Sequence, residues 1–245
     1  MQRYFVDPSQ MDEQYVMITG DDVNHIARVM RSRAGDEIIC CNGQGRDVRG
    51  AIKEIGADAV RVRILEEDLP SRELPVQVTI AQGLPKGDKM ELVIQKGTEL
   101  GAFSFCVFTS LRTVVKLDDK KEKKRRERWQ KIAKEAAEQS HRSRVPDIAN
   151  MLTWRELLAS ASQFHYALFA YEKEETATLR RALSGVPSGS RVLLVIGPEG
   201  GFDEKEVIEA ETAGFVSVSL GRRILRAETA PLYALSCVSY EFEQA

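Results

Sequence analysis

Leu193-Leu194-Val195-Ile196-Gly197-Pro198-Glu199-Gly200-Gly201-Phe202 is the stretch that decides the architecture. Four branched aliphatic residues in succession read as a strand buried on both faces, the pattern of a parallel sheet. Three glycines and a proline follow, and a helix starts near Asp203. Glycine lets the backbone come close to a ligand, and proline fixes the turn. A tight strand-to-helix turn needs one glycine. Three of them with a carboxylate point to a ligand loop at a strand's carboxyl end, where open α/β sheets bind their ligands. The loop has no Lys-Ser/Thr ending and no Gly-x-Gly-x-x-Gly spacing, so neither a Walker loop nor a dinucleotide fingerprint fits. With Glu199 and no lysine it is ill suited to a polyphosphate.

Outward from this loop the chain alternates strands and helices. Strands are predicted over 76–81, 105–108, 164–170, 192–196 and 215–220, and helices over 87–100, 120–140, 153–160, 176–183, 204–213 and 229–242. The alternation predicts a mostly parallel sheet with helices on both faces. A second strand end carries Leu220-Gly221-Arg222-Arg223-Ile224-Leu225-Arg226-Ala227-Glu228-Thr229-Ala230-Pro231, with Thr229 as a cap for the last helix. Arg226 and Glu228 there form either a surface ion pair or part of a pocket. Before Pro75 the rhythm is different: strands over 15–19, 37–41, 48–55 and 59–65, with one short helix over 22–31, predict a small β-barrel. The two-proline stretch 68–75 is the expected linker.

The 245 residues are 43% hydrophobic and 29% charged, ordinary for a globular chain. No apolar run is long enough to span a bilayer, and Met1-Gln2-Arg3-Tyr4-Phe5 lacks a signal peptide's apolar segment, so a cytoplasmic location and no membrane partner are expected. Cys40, Cys41, Cys106 and Cys237 lie in apolar stretches without metal spacing, and no His-x-x-x-His pair exists; no metal is expected. Net charge is −2, yet the run from Lys116 to Arg144 holds twelve Lys/Arg against six Asp/Glu. Such a run is either a solvated helix face or a phosphate-binding surface.

Gly-Pro-Glu-Gly-Gly followed some twenty residues later by Leu-Gly-x-Arg-Ile-Leu-Arg-x-Glu-Thr-Ala resembles the paired motifs of the SPOUT (α/β-knot) methyltransferases, in particular the family that makes N3-methyluridine in 16S (small-subunit) ribosomal RNA. Gly83-Leu84-Pro85-Lys86-Gly87-Asp88-Lys89-Met90, Gln95-Lys96-Gly97-Thr98-Glu99-Leu100-Gly101 and Glu138-Gln139-Ser140-His141-Arg142-Ser143-Arg144-Val145-Pro146 are similar to other parts of that family, and Asn24-His25-Ile26-Ala27-Arg28-Val29-Met30-Arg31 resembles its PUA-like domain. The likeness covers essentially the whole chain. It implies an α/β fold with an N-terminal PUA-like RNA-binding β-barrel over 1–70 and a SPOUT domain over 74–245 that ends in a deep trefoil knot, an exception to the rule of unknotted connections.

The resemblance also implies a cofactor, S-adenosyl-L-methionine (AdoMet), held by loops 169–172, 196–201 and 220–230. Its candidate contacts are Phe169, Ala170, Ile196, Gly197, Pro198, Glu199, Gly200, Gly201, Leu220, Gly221, Ile224, Leu225, Arg226, Ala227, Thr229 and Ala230. Uracil N3 carries a proton and is a poor nucleophile until that proton leaves. Glu199 or Glu228 is placed to accept it and Arg226 to stabilise the resulting anion; sequence does not rank the three. Arg3, His25, Arg28, Arg31, Lys86, Lys89, Arg142 and Arg144 are the candidate RNA contacts. A homodimer is expected, acting on 16S ribosomal RNA within the small ribosomal subunit. Competing readings are a SPOUT enzyme for another site, such as a transfer-RNA ribose 2′-hydroxyl, and a non-catalytic ribosome-assembly factor.

Overall fold

The computed structural model describes residues 1–67, 69–115 and 117–243. Asp68 of the expected linker, Lys116 of the basic run and the last two residues of the chain lie outside the described residues. The chain divides into two compact units: Met1–Glu73 with Ala137–Val145, and Leu74–Ala136 with Pro146–Ala245.

In the first unit β1 (Arg3–Phe5), β2 (Tyr15–Thr19), β3 (Glu37–Cys41), β4 (Asp47–Ile55) and β5 (Ala59–Glu66) form a curled sheet in the order β1-β3-β4-β5-β2. Only β1 and β3 run parallel; the other neighbours are antiparallel. Period-two alternation builds its core. In β5 Val60 and Val62 are fully buried while Arg61 and Arg63 face out. Val16, Ile18, Ile38, Val48 and Ile52 meet them inside, each contributing about 1.5–3 kcal/mol by burial. The helix predicted over 22–31 is instead a single turn, α1 (Asp21–Asn24), followed by a π-helical turn over His25–Val29. The wider turn closes by the Met30 N–H donating to the His25 carbonyl at 2.9 Å. It seats Ile26 in the core and leaves the His25 ring edge-on to Tyr4.

Charge also fills this unit's interior. Arg3 Nη1 donates to Asp47 Oδ2 at 2.6 Å and to the Arg142 carbonyl at 2.9 Å. Ser143 Oγ donates to the same Asp47 oxygen, and Arg142 pairs with Glu73. Arg3 and Arg142 are each only 3% exposed. Both were expected to grip RNA. Neither guanidinium reaches solvent: Arg3 is spent on the buried Asp47 and Arg142 on the part-buried Glu73.

The second unit contains β6 (Gln77–Gly83), β7 (Ser104–Thr109), β8 (Asp147–Ile148), β9 (Leu152–Thr153), β10 (Tyr166–Ala170), β11 (Arg191–Ile196) and β12 (Val216–Val218). They form a parallel sheet in the order β12-β10-β11-β6-β7-β8, with β9 also paired to β7. The helices are α2 (Lys89–Glu99), α3 (Asp119–Gln139, whose end belongs to the first unit), α4 (Trp154–Ala159), α5 (Leu179–Leu183), α6 (Glu204–Thr212) and α7 (Thr229–Glu243). From central β6 the chain first builds one side of the sheet, then returns to build β10, β11 and β12 on the other. The last three strands therefore stand side by side with their carboxyl ends together. Capping boxes start α4 (Thr153 with Glu156) and α6 (Asp203 with Glu206), each cap worth about 1 kcal/mol. The second of these fixes where the glycine loop ends. Among the described residues no helix is long and apolar enough to cross a membrane.

Candidate active site

Three loops, after β10, β11 and β12, line a cavity of about 510 Å³ together with Lys89 and Ala230. Each loop is pinned from below. The Tyr171 N–H donates to the Val218 carbonyl at 3.1 Å, joining the first loop to β12. Glu174 accepts from the N–H groups of Ala177 and Thr176, from the Thr176 hydroxyl and from the Ser217 hydroxyl. Those donors, the Ala177 N–H foremost, bring its carboxyl down to about 2.

The Gly197–Gly201 loop lies where side chains cannot. A Cβ on Gly83, at the end of β6, would fall 2.5 Å from the Pro198 nitrogen, so the two backbones pack directly. Gly201 has φ +65°, a conformation that favours glycine. Gln82, fully buried, donates from Nε2 to the Gly197 and Gly83 carbonyls, both at 3.2 Å. From outside, Arg112 donates to the Gly200 carbonyl at 3.0 Å and to Asp203 at 3.1 Å. Beneath the loop Phe202 packs on Phe169 with ring centres 4.2 Å apart, beside Trp154 and Phe108.

The charged groups are unevenly engaged. Lys89 Nζ lies 2.9 Å from Glu199 Oε1 and 3.3 Å from Glu228 Oε2. Glu199 Oε1 also accepts the Lys86 N–H at 3.0 Å. Burial raises the Glu199 carboxyl, but the donors Lys89 and the backbone N–H groups outweigh it and hold it below the usual carboxylate range. The hydrogen bond to Glu199 raises Lys89 in turn, so its ammonium stays charged. Arg222, Arg223 and Arg226 are exposed on the cavity wall. Ile224 is 87% exposed on the same wall.

Of the residues expected at the cofactor, Ala170, Ile196 to Gly201, Leu220, Gly221, Ile224 to Ala227 and Ala230 line the cavity. Phe169 and Thr229 do not: Phe169 is turned into the aromatic core, and Thr229 is the first residue of α7. Glu228 does not line the wall itself but stands behind Lys89. Lys89, expected to hold RNA, is bound to two carboxylates instead. Lys86 keeps an exposed side chain, Arg144 is half-buried, and His25 Nδ1 is 3.1 Å from the Tyr4 hydroxyl. Arg28 and Arg31 are exposed, Arg31 with φ +53°. Sequence reasoning missed Gln82 and Arg112. Gln82, a polar residue inside the hydrophobic strand β6, was the available signal; Arg112 gave none.

Parallel strands end in three loops around one cavity, two of the loops bearing glycines, in a chain that opens with a curled five-stranded sheet; with matches to two RNA methyltransferase family models, this makes the chain an RNA methyltransferase of the SPOUT class. The RNA methyltransferase domain model matches residues 72–239 and the RNA methyltransferase PUA domain model matches residues 18–65. A ribosomal RNA small subunit methyltransferase E from Bacillus subtilis is 48% identical over 99% of this chain and 98% of its own length. The crystal structure of a ribosomal RNA small subunit methyltransferase E from Neisseria gonorrhoeae, bound to S-adenosyl methionine, superposes with a TM-score of 0.87 at 31% identity, covering 99% of this chain and 98% of that one. A Legionella pneumophila structure described as a complex with the bound cofactor SAM gives a TM-score of 0.85 at 30% identity, over 98% and 97% of the two chains. The chain belongs to the ribosomal RNA small subunit methyltransferase E family.

Proposed function

We propose that this protein transfers the methyl group of AdoMet to N3 of a uridine in 16S ribosomal RNA, acting in the cytoplasm as a homodimer. The carrying observation is the three-loop cavity on the carboxyl ends of β10, β11 and β12. Its residues fit the cofactor. A volume of about 510 Å³ is within the usual range for small-molecule sites. Glycines at 197, 200, 201 and 221 bring backbone donors and acceptors to the wall, and the uncovered Ile224 offers an apolar face to an adenine ring.

When bound, AdoMet supplies an electrophilic methyl group on a sulfonium. The chain's part is to place the nucleophile in line and to manage one proton. Glu172 and Glu199 are the carboxylates on the cavity wall, and Glu228 stands behind Lys89. Arg226, exposed on its wall, is placed to stabilise the oxygens of a uracil anion. Lys89 and three arginines against Glu172 and Glu199 leave a positive excess on the wall, which suits an RNA substrate. In the first unit Arg28 and Arg31, exposed beside Val29 and Met30, are the proposed phosphate contacts.

The return of the chain from β12 at the sheet edge to α7 against β6 and β11 supports the knot. Tyr233 and Tyr240, on one face of α7 and 39% and 70% exposed, support the dimer. Ribose 2′-hydroxyl methylation and a non-catalytic assembly role are not favoured, since relatives matched along their whole length carry the small-subunit methyltransferase name. Calorimetric titration with AdoMet tests the reading: one site per chain is expected, and a folded protein that binds none overturns it.

A further inference from the structure

The densest part of the basic run, residues 120–131, lies on α3 and holds eight Lys/Arg against Glu122 and Glu127. The whole chain carries a formal −2, so this segment of +6 leaves −8 to the other residues. Trp129, Ala133 and Ala136 are buried and fix the inward face of the helix. Lys120, Lys124, Arg128 and Lys131 follow one another at steps of four, four and three on the opposite face. All four are exposed, as is Lys123 beside them.

The nearby anions do not neutralise this face. Glu122 accepts the Met151 N–H at 2.8 Å. Arg128 pairs with Glu91 at 2.7 Å, and Lys121 with Asp118 at 3.1 Å. Glu127 stands exposed among the cations. Among the described residues no carboxylate forms an ion pair with Lys120, Lys123, Lys124 or Lys131. Lys120 with Lys124, and Lys124 with Arg128, are like charges four residues apart, a spacing that lowers helix stability. A face that only keeps the chain in solution gains nothing from that repulsion, because interspersed signs serve as well. A polyanion relieves it and releases its own counterions as lysines neutralise its phosphates.

The loop that enters α3 is anchored at the cavity. Arg112, eight residues before Lys120, holds the Gly200 carbonyl of the cavity wall at 3.0 Å. Along the helix axis Lys124 lies about 6 Å from Lys120, and Lys131 about 16 Å from it, room for more than one phosphate of a strand.

Resting on the function proposed above, we infer that the outer face of α3, carried by Lys120, Lys124 and Lys131, is a phosphate track for the RNA substrate. Its contacts hold the RNA by its backbone and read no sequence. They add to those proposed for Arg28 and Arg31 in the first unit.

The test uses the full-length protein with 16S RNA, both stripped of protein and within small-subunit particles. Lys120→Gln, Lys124→Gln and Lys131→Gln together should weaken binding of both forms at least about 10-fold and reduce the slope of log affinity against log salt by about 2–3. KM for RNA should rise, while calorimetry gives the parental affinity for AdoMet. Lys124→Glu separates binding from folding. A carboxylate between Lys120 and Arg128 should hold or slightly raise the thermal midpoint, yet weaken RNA binding more than Lys124→Gln does. Parental affinity and slope in the triple variant overturn the inference and leave this face merely solvated. A loss confined to particles also overturns it, since the face would then meet a protein. Either result with parental AdoMet binding leaves the proposed function standing. A parent that binds no AdoMet removes that function, and the RNA titrations still decide the track.

Discussion

The Gly200 carbonyl accepts a hydrogen bond from Arg112 at 3.0 Å, and a Cβ built on Gly200 would come 3.1 Å from the Arg112 Cβ. Space at Gly200 is thus limited by the loop that grips it from outside. Replacing Gly200 with alanine should displace Arg112, lowering stability by about 1 kcal/mol and weakening AdoMet binding moderately. Gly83→Ala should be worse on both counts, since its Cβ would meet the Pro198 backbone at 2.5 Å, which cannot yield like a side chain. Urea denaturation and calorimetry on the two variants check the order; equal effects would contradict it.

Arg112→Ala should barely change stability, because its ion pair with Asp203 is 46% and 43% exposed and such pairs contribute at most about 1 kcal/mol. AdoMet affinity should nevertheless fall, since the Gly200 carbonyl loses its outer restraint. A titration matching the parent's would remove Arg112 from the site.

Burial assigns Arg3 a different role from the one its charge suggests. Arg3→Met strands Asp47, and leaving one member of a buried ion pair unpartnered costs about 3–5 kcal/mol. Thermal unfolding should report that loss, whereas the salt dependence of RNA binding should keep its slope. A stable variant with a flattened slope would restore Arg3 as a phosphate contact.

The exposed pair in the first unit should behave in the opposite way. Changing Arg28 and Arg31 together to alanine should weaken RNA binding, reduce the salt slope by about 2 and leave AdoMet affinity and stability as they were. Small-subunit particles bound with the parental affinity and slope would make this patch structural.

The parts of the molecule written in local pattern were legible. The aliphatic run before Gly197 gave β11, alternation gave β2 through β5, and three glycines with a carboxylate marked the cavity loop. What stayed hidden was written in pairs far apart. Arg112 and Gly200 are 88 positions apart, and Arg3 and Asp47 are 44 apart; no local period records which charge will be buried against which. β1, β8 and β9 have two or three residues, too few to show a period. Glu199, Glu228 and Arg226 were singled out by motif, but the lysine that separates the two carboxylates was read as an RNA contact because its partners come from distant loops.

The proposed dimer places its interface on the face of α7 that carries the exposed Tyr233 and Tyr240. Light scattering at micromolar concentration should give twice the chain mass, and Tyr240→Glu should shift it towards one. A parent that stays monomeric across that range would contradict the assembly.

The central claim, methyl transfer to a uracil nitrogen, is tested most directly by mass spectrometry of the RNA itself. Small-subunit particles lacking the modification are incubated with the purified protein and AdoMet, and their 16S RNA is digested to nucleosides. The account predicts one new N3-methyluridine per 16S RNA, absent when AdoMet is withheld; a methyl group on a ribose, on another base or on none would contradict it.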